Sequence, residues 1–160
     1  MEMEKRKKLG EILIEKGLLT EDQLQNALME QYLTKEFLGT ILVNRGIITE
    51  TELMRTLAEQ FGIPYVSIKN KYIDISLTKK LPSSFITNNK CFPIEEDELS
   101  LTLAIINPLD VTTISEAEKM VSPKKLKIVL TSLEDMNDVI NRYKKYIKRS
   151  IIDLLEQIGE

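Results

Sequence analysis

Two glycines and two glutamines recur in this chain at a fixed interval. Gly10 and Gly39 each follow a leucine, and each is followed 21 residues later by a glutamine, Gln31 or Gln60. A glycine in the first turn of a helix costs about 1 kcal/mol against alanine. Meeting that cost twice at matched places points to something approaching the backbone closely. The unpaired N–H groups of a helix start favour an anion, and a glutamine amide can both donate and accept. These are the means of binding a polar ligand, not of breaking a bond. Helix–helix packing at the glycines and plain surface polarity at the glutamines is the other reading.

The elements that must hold these residues are themselves duplicated. Lys8–Gln31 and Phe37–Gln60 are 24 residues each, separated by Tyr32–Glu36, and 11 of the 24 aligned pairs are identical. Ordinary composition gives roughly one or two, so the repeat is real. In the first copy Leu9, Ile12 and Leu13 share one helix face, and Gly17 ends that helix in a left-handed conformation. Thr20 and Gln23 have the spacing of a capping box, and Leu19 and Leu24 that of a hydrophobic staple. Leu24, Leu28 and Met29 give the second helix its apolar face. The second copy repeats each device with Gly46, Thr49 and Glu52, and Ile48 and Leu53. Each copy is therefore predicted to be a helix pair with a tight corner, and the two pairs to pack on one another.

Composition narrows the function classes. The chain has 160 residues, 42% hydrophobic and 29% charged, with net charge −3 and no histidine. The commonest general base and metal ligand is thus missing, and no metal site is expected. The net charge argues against DNA or RNA as a partner. The single cysteine, Cys91, lies in an apolar stretch; it suits the cytosol and reads as core more readily than as a nucleophile. No phosphate-binding G-x-x-x-x-G-K-[ST] loop occurs, so nucleotide cannot bind as it does to a P-loop ATPase. No apolar run approaches a membrane span. Scattered carboxylates give no support to a catalytic domain.

Met1–Lys7 reads as a frayed tail. The basic run Lys5–Lys8 is either a solvated tail or a means of raising anion concentration beside the first copy. Beyond the repeat, Pro64 stops the helix and Tyr65–Ile68 reads as a short strand. Leu77–Thr87 is predicted helical with Pro82 near a helix start. Cys91–Ile94 and Leu99–Ile106 read as strands joined by a solvated acidic turn, Glu95–Glu98. A helix follows through Ile114, Ala117, Met120 and Val121, then a strand at Leu126–Leu130. Thr131 or Ser132 caps a helix through Leu133, Met136, Val139, Ile140 and Tyr143. Ile147, Ile151, Leu154, Leu155 and Ile158 form one apolar stripe on a helix. The fold class is α+β: a four-helix tandem repeat packed with a small α/β subdomain, then an amphipathic helix.

The run Lys8-Leu9-Gly10, Leu13, Gly17, Leu24, Leu28, Gln31, then Phe37-Leu38-Gly39, Leu42, Gly46, Leu53, Leu57, Gln60 resembles the tandem motif of the MshEN domain. That domain stands at the N-terminus of type II secretion and type IV pilus assembly ATPases. The resemblance implies a cyclic di-GMP ligand, with one motif for each half of the two-fold molecule and those residues as its site. It also implies a polar contact from the second half of the chain, for which Asp110 in Asn107-Pro108-Leu109-Asp110 is the matching position; capping of the following helix is the other use of Asp110. The family's first motif usually opens with arginine where this chain has Lys8, and Phe37 opens the second with a ring that could stack on a base.

Three segments are expected: 1–62 as the ligand-binding repeat, 63–145 as the α+β subdomain, and 146–160 as a helix leading to a P-loop ATPase domain downstream. Two functions compete. One is a non-catalytic sensor that passes ligand occupancy to that motor. The other is a docking module, without nucleotide, that tethers the ATPase to an inner-membrane platform protein from the cytoplasmic side.

Overall fold

The computed structural model describes residues 7–159. Lys5 and Arg6 of the basic run, the rest of the predicted frayed tail before Lys7, and Glu160 lie outside the described residues. The fold is α+β, and the chain divides into two units, Met1–Pro64 and Tyr65–Glu160.

The first unit is the repeat. It comprises helices α1 (Leu9–Glu15), α2 (Glu21–Thr34), α3 (Leu38–Asn44) and α4 (Glu50–Phe61). Gly17 and Gly46 take φ of +73° and +71°, and the residue after each donates back to Leu13 or Leu42 at 3.0 Å. That left-handed step turns each short helix into its partner without a Cβ penalty. Both capping boxes are present: the Thr20 and Thr49 hydroxyls accept from the N–H of Gln23 and Glu52, whose side chains accept from Thr20 and Thr49 N–H in return.

Helices of two turns are marginal in isolation, so tertiary burial must hold α1 and α3. Leu13, Ile41, Leu42 and Leu57 are fully buried at the centre of one core that also takes Leu9, Leu19, Leu38, Ile48 and Leu53. Each fully buried leucine contributes about 1.5–3 kcal/mol. The packing is crossed: α1 lies against α4, and α2 against α3. The first helix of each copy is thus covered by the second helix of the other.

The second unit is built on a three-stranded sheet ordered β1 (Phe92–Glu96), β2 (Ser100–Ile105), β3 (Lys125–Leu130). β1 and β2 pair antiparallel with an irregularity between Pro93 and Glu95; β2 and β3 pair parallel from Ser100↔Lys125 to Ile105↔Leu130. The parallel pair needs a crossover, supplied by α6 (Val111–Val121), which packs on β3. In the turn between β1 and β2, Glu95, Asp97 and Glu98 are exposed, as a solvated turn requires, and Glu96 alone is half-buried. Glu96 pairs with Lys80 and Lys124, and Asp97 accepts from the Leu99 and Ser100 N–H groups. Hydrogen bonds from Lys124 and then Lys80 hold the Glu96 carboxyl below the usual range.

The structure alters three of the predicted elements. Only Tyr65 of the predicted strand 65–68 bridges to the sheet, at Leu130. The N–H groups of Ile68 and Lys69 go instead to the Asp135 carboxylate, at 2.9 and 3.1 Å. The predicted helix 77–87 is two elements, a 3₁₀ turn at Ile75–Lys80 and α5 at Ser83–Asn89. Leu81, forced out of the helical region by Pro82, is extended between them at φ −120°, ψ 130°. Finally, the apolar positions from Leu133 to Ile158 lie on a single 26-residue helix, α7, capped by Ser132.

Candidate functional site

Each copy fastens the start of the other. Positions equivalent in the two copies differ by 29 in number. The Gln31 amide donates to the Glu36 carbonyl at 3.2 Å, and the Gln60 amide to the Lys7 carbonyl at 3.1 Å. Glu36 and Lys7 immediately precede the second and the first copy. The ion pairs obey the same rule: Lys16 meets Glu59 at 2.6 Å, and Arg45 meets Glu30. Two hydrogen bonds and two ion pairs are therefore exchanged about a pseudo-two-fold axis. The Lys7 ammonium is itself held by Glu15 at 2.8 Å, and that hydrogen bond raises its pKa.

The ion pairs carry a signal that was present in the sequence. The ninth residue of each copy is basic and the twenty-third acidic. Pattern reading passes over them because each pair joins different copies.

The glycines have an immediate cause. A Cβ on Gly10 would stand 2.7 Å from Leu24 Cδ1. One on Gly39 would stand 2.6 Å from Leu53 Cδ1 and 2.7 Å from Phe37 Cε1. Both glycines are buried, so each lets the leucine of its own second helix lie on the backbone of the first. At Gly17 and Gly46 nothing lies within 4 Å of a Cβ, and positive φ is the whole reason.

Burial sorts the remaining candidate residues. Leu9, Leu13, Leu38, Leu42, Leu53 and Leu57 are core. Lys8 and Phe37 are the residues before α1 and α3, and both are exposed; Leu28 is exposed, while Leu24, Gln31 and Gln60 are half-buried. The accessible members thus offer a cation, a ring face, an apolar contact and two amides. α3 has no side-chain cap, whereas Glu11 accepts from the Lys8 N–H at the start of α1.

Asp110 belongs to the second unit. Its carboxylate caps α6, accepting from the Thr113 N–H at 3.1 Å and the Thr113 hydroxyl at 2.6 Å. The same hydroxyl oxygen lies 3.1 Å from the Asn89 side-chain amide. Cys91 is buried; desolvation, and after it the Asp110 charge, push its pKa up to about 12. A thiol so placed has no nucleophilic form near neutrality. Among the described residues no group of three His, Cys, Asp or Glu side chains could hold a metal, and no helix is long and apolar enough to cross a membrane.

Known proteins share the fold of this chain. The type IV pilus assembly ATPase PilB of Myxococcus xanthus (strain DK1622) is 26% identical over 153 residues, which is 96% of this chain and 27% of that protein. The chain therefore spans about a quarter of its curated relative. Among solved structures, MshE with cdg (cyclic di-GMP) superposes with a TM-score of 0.77 at 28% identity, covering 86% of this chain and 99% of that one. The N-terminal domain of XpsE shares the fold, with a TM-score of 0.62 at 23% identity and coverage of 88% and 98%. The family profile described as the MshEN domain matches residues 61–150, more than half of the chain. That match begins just after the repeat, which the alignment to PilB over 96% of the chain takes in, and on the family match the chain belongs to the MshEN domain family.

Proposed function

We propose that this chain is a non-catalytic regulatory module at the front of a secretion or pilus assembly ATPase, and that its first unit binds one cyclic di-GMP. The observation that carries the reading is the exchanged pairing of the two copies. A ligand made of two identical halves is matched by a surface whose two copies exchange the same hydrogen bond and the same ion pair in both directions. The likeness to a structure of MshE with cdg supports the same ligand.

In this reading the exposed residues do the binding and the buried ones set their places. Lys8 supplies positive charge for a phosphate, as a point charge without the planar fork of arginine. Phe37 offers a ring face to a guanine, a contact worth about 1–3 kcal/mol per base. Gln31 and Gln60 hold the backbone just before Phe37 and Lys8 in position. Occupancy of this surface would bias a motor domain elsewhere in the same protein.

A second reading rests on α2. Met29, Tyr32 and Leu33 are 67%, 75% and 74% exposed, while the residues at the matching places in and just after α4 are Ala58, Phe61 and Gly62. Only one copy carries this apolar surface, which suits a protein partner such as an inner-membrane platform component. Titration calorimetry of cyclic di-GMP into the chain decides between them. Saturable binding at one ligand per chain is expected. No heat and no saturation up to millimolar ligand would leave docking as the function.

A further inference from the structure

The last helix has two unlike halves. In its first half Met136, Ile140 and Tyr143 are buried, and the Tyr143 ring meets Phe92 of the sheet edge-on at 5.6 Å. The same helix face runs on through Ile147 to Ile151, Leu154, Leu155 and Ile158, and these last four are 52–79% exposed. At 26 residues α7 is about 39 Å long, and its apolar stripe outlasts the sheet that covers it.

Charge divides along the same axis. Lys144, Lys145, Lys148 and Arg149 stand together with no acidic residue among them. From Ser150 to Gly159 the only charged residues are Asp153 and Glu156. The basic part also borders a groove. A cavity of about 430 Å³ between α5 and α7 is lined by Ser83, Thr87, Tyr143, Lys144, Lys148 and Ile151. An apolar helix bearing carboxylates would suit it, and the end of α7 is such a helix. One continuous helix cannot bring its own end back onto its middle. A second copy can, provided that it runs antiparallel; a parallel copy would set lysine against lysine and carboxylate against carboxylate.

We infer that α7 is a self-complementary docking face, on which a second copy of this chain pairs antiparallel. The acidic Asp153–Ile158 end of each copy seats against the basic Tyr143–Ile151 groove of the other. The contact is isologous, so both ends are satisfied at once and the assembly closes at two.

Charge reversal tests this on the 160-residue chain by analytical ultracentrifugation over a concentration series. Lys144→Glu with Lys148→Glu puts carboxylates at the two charged positions that line the groove, and Lys145 and Arg149 do not line it. Asp153→Lys with Glu156→Lys makes the seated end basic. All four positions are exposed, and circular dichroism checks that each variant keeps its helix content. Each variant alone should self-associate at least about tenfold more weakly than wild type, since like charges now face one another. An equimolar mixture of the two should recover dimerisation, because every contact in the mixed pair is again acid against base. A wild-type chain that stays monomeric at every concentration overturns the proposal and assigns the stripe to another occupant, such as a further domain or a membrane surface. Dimerisation unchanged in both variants, or strengthened by removing the lysines, overturns it equally, by placing the contact elsewhere or the helices parallel.

Discussion

The Gln60 side-chain amide donates to the Lys7 carbonyl across 53 positions of sequence, and it is this bond that sets the chain just before Lys8. Its twin, Gln31 to Glu36, does the same before Phe37 over only five positions. Both side chains are half-buried, so the loss of either bond should cost little stability. Gln60→Ala is expected to lose about 0.5–1.5 kcal/mol in urea unfolding. Its effect on cyclic di-GMP affinity should be the larger of the two, because Lys8 is then no longer positioned. Gln60→Glu should be worse than alanine, since a carboxylate would face a carbonyl oxygen. An affinity that follows only the small stability loss would remove the glutamines from the site.

The glycines make a sharper claim about packing. Helix propensity alone predicts that Gly39→Ala stabilises α3 by about 1 kcal/mol. The structure predicts the opposite sign, because the new methyl would meet both Leu53 and Phe37 within 3 Å. Overpacking of this kind costs about 1–3 kcal/mol. Gly10→Ala should cost less, because its close contacts are all with the flexible end of Leu24. Chemical unfolding of the two variants gives the comparison, and a stabilised Gly39→Ala would refute the close-packing account. Valine at either position would disturb the fold as well as the surface, so alanine is the cleaner probe.

The repeat was legible because its signals are local. Gly17, Thr20 and Gln23 lie within seven residues of one another, and each acts on its own backbone. The partners were not legible. Nothing in the order of residues says that Gln60 reaches Lys7 or that Lys16 meets Glu59, since each pair needs the crossed packing of α1 on α4. The same holds for Ile68 and Lys69. Their alternating, β-branched neighbourhood reads as a strand, but their N–H groups are taken by a carboxylate 66 or 67 positions away. The break at Leu81 could have been read from Pro82, because the restriction that proline places on the preceding residue is local.

That carboxylate should make the second unit sensitive to acid. Asp135 is buried and accepts from the Ser67 hydroxyl, the Ile68 N–H and the Lys69 N–H. Burial pulls its pKa upward, but the hydrogen bonds from Lys69, Ser67, Ile68 and Ser132 outweigh it and the net shift is downward. A lowered folded pKa means stability that is complete above the unfolded value, about 3.9, and lost as pH falls through the folded one. Asp135→Asn should cost about 1.5–3 kcal/mol at pH 7, the range for hydrogen bonds to a charged group. Below about pH 4 the gap between wild type and variant should narrow, which thermal unfolding from pH 7 to pH 3 would show. A gap that stays constant over that range would mean that Asp135 acts through shape and not through charge.

The two copies differ most at their first residue, and the difference predicts unequal half-sites. Lys8 and Phe37 occupy the same place before α1 and α3, and both are exposed. Lysine can attract a phosphate but cannot stack; phenylalanine can stack but carries no charge. Arginine does both, since its planar guanidinium forks to a phosphate and lies on a ring. Lys8→Arg should therefore tighten cyclic di-GMP binding by about tenfold, the effect of 1.4 kcal/mol. Phe37→Arg should gain less, because the added charge replaces a stacking contact. The salt dependence separates the two effects. Raising ionic strength should weaken the wild type, and weaken Phe37→Arg more steeply, because exposed charges are screened. Phe37→Ala should lose affinity at every salt concentration by the same factor. If Lys8→Arg leaves both the affinity and its salt dependence unchanged, Lys8 does not touch the ligand, and the binding surface must begin further along α1.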